Sequence, residues 1–364
     1  MCDVFIAMDT ELFLKMLEID STSGKEAEFA DFLVESLLTP ACRVETFDVG
    51  DGTKNLLFSW GDPSVVFCSH LDTVPPYIPP VKEDTAFRGR GTCDAKGQIF
   101  AMYEACRVLE KKGYDGFGLL LLAGEETGSY GAKSFREQHP GAEWVIVGEP
   151  TDNCMASASK GTKAFEVTFE GKAFHSGYPQ YGLSAVEMFS DFMNALRSIV
   201  FPMDEVLGDT TWNIGKLVSD NPQNILSDRL TCRVYFRTTF ESDEMVCNVM
   251  KNMAGDDARL RFGRRQAQDG SDIVGKEAAA WQKSMSIKAL GGDCPTRYET
   301  LEGFQTKPVA FGSDAPQLTN FNRKILCGPG SILVAHRPEE CISMSDIEAA
   351  TCNYVQMFEK IRKQ

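Results

Sequence analysis

Over the first 160 residues, short apolar runs alternate with stretches whose apolar positions recur at helical spacing. Residues 64–69 predict a short apolar strand that ends at His70. Residues 96–112 carry Ile99, Met102, Cys106 and Leu109 on one helical face, and Gly113 stops the run. Residues 117–123 read as a buried strand, 129–138 as a helix and 144–147 as another buried strand. Ser23 followed by Glu26 predicts a capping box that opens a helix through Phe29, Phe32 and Leu33. Strands separated by helices imply a mostly parallel sheet, and so an α/β fold.

The pattern changes near Lys160. Residues 164–169, AFEVTF, alternate as a half-exposed antiparallel strand does. A helix at 185–199 and strands at 212–218 and 229–238 follow, and the block reads as a small inserted α+β domain. After about residue 270 the α/β pattern returns, with a helix at 278–290 and short strands at 309–311 and 325–327. Ser345 with Glu348 predicts a second capping box, at the start of the final helix. The expected organisation is one catalytic domain in two parts, 1–160 and 271–364, interrupted by the insert at 161–270. The sequence holds no internal repeat and no low-complexity tract.

Composition narrows the function. A chain of 364 residues exceeds what one hydrophobic core usually serves, in keeping with two domains. The net charge of -15 argues against a nucleic-acid partner and against an anionic membrane surface. It suits a carboxylate-rich site. No two of the twelve cysteines lie within ten residues of each other, which excludes CxxC ribbons and thioredoxin-type motifs. They read as small buried thiols in a reducing cytosol. The start, MCDVFIAMDTELF, has no basic n-region, so no signal peptide is expected. The apolar run at 119–123 is far too short to span a bilayer. The expected location is cytoplasmic.

The chain has four histidines. His70 ends a buried strand in S-H-L-D-T-V-P, and Asp72 two residues on can hold one ring nitrogen while the other faces a metal. A lone histidine is more often structural. Asp94, in G-R-G-T-C-D-A-K-G, can equally be read as a helix N-cap. The Gly89-x-Gly91 pair follows no clear strand and lacks a third glycine, so it is not a dinucleotide loop. Glu125 and Glu126 follow a strand of four leucines, a poor place for idle charge. One such carboxylate can bind a metal while the other takes a proton from water held by that metal. Glu149 ends the strand W-V-I-V-G in the same way. His70, Glu125, Glu126 and Glu149 all lie at carboxyl ends of predicted parallel strands, where open α/β sheets bind ligands. With His336 far downstream, they suit a zinc pair bridged by one carboxylate.

Taken in order, these motifs resemble a known family. S-H-L-D-T-V-P, G-x-G-T-C-D-A-K-G, G-E-E-T-G, V-G-E-P-T, G-K-A-F-H-S-G-Y-P, G-S-D-A and A-H follow the pattern of two-zinc hydrolases that include acetylornithine deacetylase, succinyl-diaminopimelate desuccinylase, aminoacylase and a glutamate-releasing carboxypeptidase. The G-T-C-D-A-K-G and C-G-P-G stretches look most like the acetylornithine and acetylcitrulline deacetylase branch. The resemblance implies hydrolysis of the amide of a small N-acyl amino acid or short peptide. It assigns one zinc to His70, Asp94 and Glu149, and the other to Asp94, Glu126 and His336, with Asp94 bridging; cobalt could substitute. Asp72 would orient His70, and Glu125 would be the general base. The insert would be a lid that pairs two subunits. From it His175 would stabilise the oxyanion, possibly in the partner's site, while Asn224 and Arg237 would read the substrate carboxylate beside Gly328. At Arg237 the family often has Asp two residues earlier and Pro soon after, whereas this chain reads Tyr235-Phe236-Arg237-Thr238-Thr239. A strand charge at the surface is the plainer reading of that arginine. Glu at position 149 resembles the deacylases and carboxypeptidases, where aminopeptidases and dipeptidases have Asp. The resemblance further implies a cis peptide between Asp94 and Ala95. An aminopeptidase or dipeptidase on the same scaffold, or an inactive relative that only binds such ligands, stands as the alternative.

Overall fold

A six-stranded sheet carries the chemistry-bearing residues. The computed structural model describes residues 8–50, 52–253 and 285–364. Across the sheet the strands run Arg43–Gly50, Thr53–Trp60, Phe117–Leu122, Val65–His70, Trp144–Val147 and Arg323–Leu326. The last four are mutually parallel, and the first two extend the sheet in antiparallel fashion. Every residue of Val65–His70, Phe117–Leu122 and Trp144–Val147 is buried, as expected of parallel strands covered by helices. The register aligns their carboxyl ends. His70 pairs with Leu122, Cys68 with Val147, and Val147 with Leu326. The chain therefore leaves the sheet at one edge as His70, as Gly124-Glu125-Glu126, as Gly148-Glu149 and as Cys327-Gly328.

Helices Thr10–Glu18, Glu26–Leu37, Lys96–Lys111 and Met344–Ile361 contribute to one core with these strands. Phe13 stacks on Phe100 at 4.8 Å, Phe67 meets Tyr354 at 5.7 Å, and Phe117 meets Phe358 at 5.5 Å. Helix ends differ from expectation at two places. Glu26–Leu37 has no side-chain cap, because Ser23 donates to Asp72 instead and Glu26 folds back to accept from the Gly24 amide. The final helix is capped by Ser343, which accepts from the Asp346 amide, two residues before the expected box.

The described residues fall into two compact units. The first comprises 1–157, 297–309 and 313–364; the second comprises 158–296 and 310–312. The second unit is built on an antiparallel sheet in the order Thr211–Val218, Arg229–Thr238, Gly161–Glu170, Met285–Gly291. Helices Ala185–Arg197 and Asp243–Met253 share its core with Phe165, Val167, Phe169 and Phe236. The expected boundary at 270 and the first half of the expected helix at 278–290 lie outside the described residues. Its second half is a strand. Met285 and Ile287 pack against the core while Ser286 and Lys288 pair outward along Gly161–Glu170, so a period of two overrides the helical reading. The strand expected at 309–311 is instead Thr306–Val309. Among the described residues no helix is long and apolar enough to cross a membrane, and eleven cysteines are free thiols.

Phe67 is fully buried at the middle of the sheet. Replacing it with alanine removes the ring that meets Tyr354 and leaves a cavity, so Phe67→Ala should cost about 3–5 kcal/mol. Urea denaturation followed by circular dichroism measures the loss, and a shift below about 1 kcal/mol would contradict this packing.

Candidate metal centre

Two histidines and a set of carboxylates converge beyond the carboxyl ends of the parallel strands. His70 is fixed first. Its Nδ1 lies 2.9 Å from the Asp72 carbonyl oxygen and 3.4 Å from Asp72 Oδ1, which turns Nε2 toward Asp94 Oδ1 at 3.0 Å. The other Asp94 oxygen, Oδ2, lies 3.2 Å from His336 Nε2, and that same nitrogen is 2.7 Å from Glu126 Oε1. Asp94 thus presents one oxygen to each histidine. The ligand atoms of His70, Asp94 and Glu149 lie within 4.8 Å of one another, as do those of Asp94, Glu126 and His336. The His70, Glu125 and Glu126 atoms form a third such group.

Asp72 ties this arrangement to the backbone. Its Oδ1 accepts from the Glu125 amide at 2.9 Å, and its Oδ2 accepts from the Glu126 amide at 3.2 Å and from Ser23 Oγ at 2.8 Å. One buried carboxylate therefore fixes both the ring behind the first site and the turn that carries the two glutamates. The Asp94–Ala95 peptide is cis, as the resemblance implied. His336 has φ +63°, a left-handed conformation that a non-glycine residue adopts only under constraint from its surroundings.

The electrostatics follow from crowding acids out of water. Loss of hydration pushes the Glu149 carboxyl well up, and the carboxylates of Asp94 and Glu125 push it further. Glu125 is only partly exposed; loss of hydration raises its carboxyl too, opposed by His70 and reinforced by Asp314, Glu126 and Asp94. Burial alone would raise Asp94, but hydrogen bonds from His336 and His70 hold it well below the usual carboxylate range. His336 is pushed up to about 10, chiefly by its bonds to Asp94 and Glu126. Every one of these shifts reflects a demand for positive charge at one place. A pair of dications meets it, and mixed nitrogen and oxygen donors at this spacing suit zinc, which binds both at about 2.0–2.2 Å. The residues present fit the group.

The family model for peptidase family M20/M25/M40 matches residues 66–360. The chain belongs to that family. An M20 domain-containing peptidase of Schizosaccharomyces pombe is 33% identical over 360 residues, covering 95% of this chain and 83% of that one. A "probable carboxypeptidase" of Aspergillus clavatus is 30% identical over 386 residues, covering 95% and 86%. A tripeptidase crystal structure from Staphylococcus aureus has the same fold, with a TM-score of 0.78, 20% identity and 98% of each chain covered. As an M20 member the protein is a metal-dependent hydrolase of amide bonds.

Of the remaining expected residues, His175, Asn224 and Arg237 belong to the second unit and Gly328 to the first. His175 is exposed in the second unit, where its Nδ1 accepts from the Gly177 amide at 3.1 Å and its backbone bridges to Ile225. Asn224 is its neighbour, with its carbonyl accepting from the Ser176 amide. Arg237, also in the second unit, lies over the Tyr235 ring at 5.0 Å. Gly328 is a packing position. A Cβ there would come within 2.5 Å of the Glu149 carbonyl oxygen and 2.9 Å of its amide nitrogen, so only glycine lets the Glu149 backbone pass. Two residues at the centre had no role in the sequence reading. Ser23 was spent on a helix cap. Asp314, 1% exposed, adds negative charge beside Glu125 and Glu149; it stood in the G-S-D-A motif without an assignment.

The adjacent glutamates should separate by mutation. Glu125→Gln should retain bound metal and lose about 10²–10⁴ of the rate, as removal of a positioned base does. Glu126→Gln should lose metal, since its Oε1 faces His336. Metal content by atomic emission beside kcat is the measurement, and equal metal loss in both variants would reverse the roles.

Proposed function

We propose that this M20 hydrolase releases an amino acid bearing a free α-carboxylate from a small N-acyl amino acid or a short peptide. An acetylornithine deacetylase-like deacylase and a carboxypeptidase cut the same bond. In each, the leaving group is an amino acid with its carboxylate intact. The sequence resemblance supports the first, the names of the fungal relatives support the second, and Glu at position 149 fits both. The observation that carries the chemistry is the Asp94 carboxylate divided between His70 and His336, with Glu125 alongside.

In this reading His70, Asp94 and Glu149 hold one zinc, and Asp94, Glu126 and His336 hold the other, cobalt being able to replace them. Zinc bound there would polarise the amide carbonyl and acidify water. The chain supplies the rest. Glu125 takes the proton of the attacking water on a carboxylate oxygen and passes it to the leaving nitrogen. Asp72 keeps His70 turned and the Glu125 amide in place. To the second unit we assign substrate recognition. Arg237 grips the carboxylate through two parallel hydrogen bonds, Asn224 assists, and His175 donates to the developing oxyanion. The same unit is proposed to join two subunits into a homodimer, and the free thiols support a cytoplasmic location.

A hydrolysis panel tests the substrate class. N-acetyl-ornithine, N-acetyl-citrulline, other acetyl-, succinyl- and formyl-amino acids and short peptides should turn over only when the carboxylate is free. Amidating that carboxylate should abolish turnover. Cleavage of C-terminally amidated, unblocked dipeptides would instead establish an aminopeptidase. His175→Ala should keep full zinc occupancy and the same oligomeric state while losing about 10²–10³ in kcat. Mixing it with inactive Glu125→Ala should restore part of the activity if the donor comes from the partner subunit. A fully active His175→Ala enzyme would remove the residue from the reaction.

A further inference from the structure

Arg90 and Glu340 form an ion pair sealed inside the first unit, 3% and 0% exposed. A buried pair is costly to desolvate and persists when each partner's remaining hydrogen-bonding capacity is used. Here it is used on the backbone of the metal centre. Glu340 gives Oε2 to the Arg90 guanidinium, while its Oε1 accepts from the amides of Cys93 and Asp94, both at 3.1 Å. Arg90 Nη1 also donates to the Arg337 carbonyl at 3.4 Å, one residue past His336. Arg90 Nε donates to the Pro76 carbonyl at 3.3 Å, in the loop that follows His70 and Asp72. The Glu340 carbonyl in turn accepts from the Gly89 amide at 3.0 Å. One pair therefore joins three loops: the one after His70, the one that carries Asp94, and the one that carries His336. Asp94 and Glu340 are 246 positions apart in the chain.

We propose that Arg90 and Glu340 are positioning residues for the bridging carboxylate, holding the Asp94 backbone against the His336 loop so that one Asp94 oxygen faces each histidine. Neither side chain is assigned to a metal or to substrate. They act through the Asp94 amide and the neighbouring carbonyls. A shared carboxylate has little tolerance for drift, because moving its backbone toward one histidine moves it away from the other. Side chains that orient ligands in this way typically account for about 10–100-fold in metal affinity.

The inference rests on the two-metal reading, and the test keeps the two apart. Zinc dissociation constants are measured by chelator competition on the full chain, beside the melting temperature of the metal-free protein. Wild type, Glu340→Ala, Glu340→Gln and Arg90→Lys are compared with Leu33→Ala, a core substitution in the Glu26–Leu37 helix that serves as the stability control. Glu340→Ala should weaken zinc about 10–100-fold, while Leu33→Ala lowers the melting temperature and leaves zinc affinity intact. Glu340→Gln keeps an oxygen for the two amides but turns an NH2 group onto the Arg90 guanidinium, so it should weaken zinc as well. If Glu340→Ala does not fold, Arg90→Lys, which loses the planar fork, is set against Leu33→Ala and should bind zinc more weakly. Wild-type zinc affinity in Glu340→Ala, or an affinity loss no greater than in Leu33→Ala, would make the pair a fold element only and overturn the proposal. So would wild-type zinc affinity in Glu340→Gln. A wild-type chain that takes up no zinc would remove the two-metal reading itself.

Discussion

The centre depends on one carboxylate being shared. Asp94 offers an oxygen to His70 and an oxygen to His336. Sharing of this kind needs two things at once. The carboxylate must be kept charged in a buried place, and its backbone must be held from a direction that neither histidine occupies. The histidines supply the first condition through hydrogen bonds that outweigh burial. The amide contacts of Glu340 supply the second.

Around that joint the acids are sorted by what stands behind them. Asp72 is wholly enclosed and fully used, by His70, by two amides and by Ser23, so it serves as a fixed point. Glu126 is aimed at His336. Glu125 has its amide pinned while its carboxyl is stripped of water and set among like charges, which raises its hold on a proton. Two adjacent glutamates of identical chemistry thereby sit in different surroundings. The difference comes from a turn whose two amides are gripped by one aspartate, which points successive side chains in different directions.

The second unit is organised by another rule. Its sheet is antiparallel, with one face on a core of Phe165, Phe169 and Phe236 and the other open. Such a sheet can display polar residues without breaking its core. His175 and Asn224 lie side by side on loops of this unit, and Arg237 projects from one of its strands.

Much of this was legible in the residues. Apolar runs in 64–69, 117–123 and 144–147 announced buried parallel strands, and acids at their ends announced a site, because charge is expelled from such places unless it has a partner. The ordered motifs named the family and the residues that converge. What the sequence could not carry was anything decided by distant neighbours. Ser23 has the spacing of a helix cap, but Asp72, 49 residues on, competes for its hydroxyl. Residues 285–290 accept a helical reading until Gly161–Glu170 offers a free edge to pair with. Gly328 is expected beside the substrate, and nothing in its local sequence shows that the Glu149 backbone passes within reach of where its Cβ would be. Glu340 carries no signal in its local sequence, yet the fold buries it against an arginine 250 positions away and turns it onto the amide of Asp94. Local spacing determines which residue types can serve. Which atoms meet is decided only when tertiary packing closes the loops, because a hydrogen bond needs its partner within about 3 Å, however far away it lies in sequence.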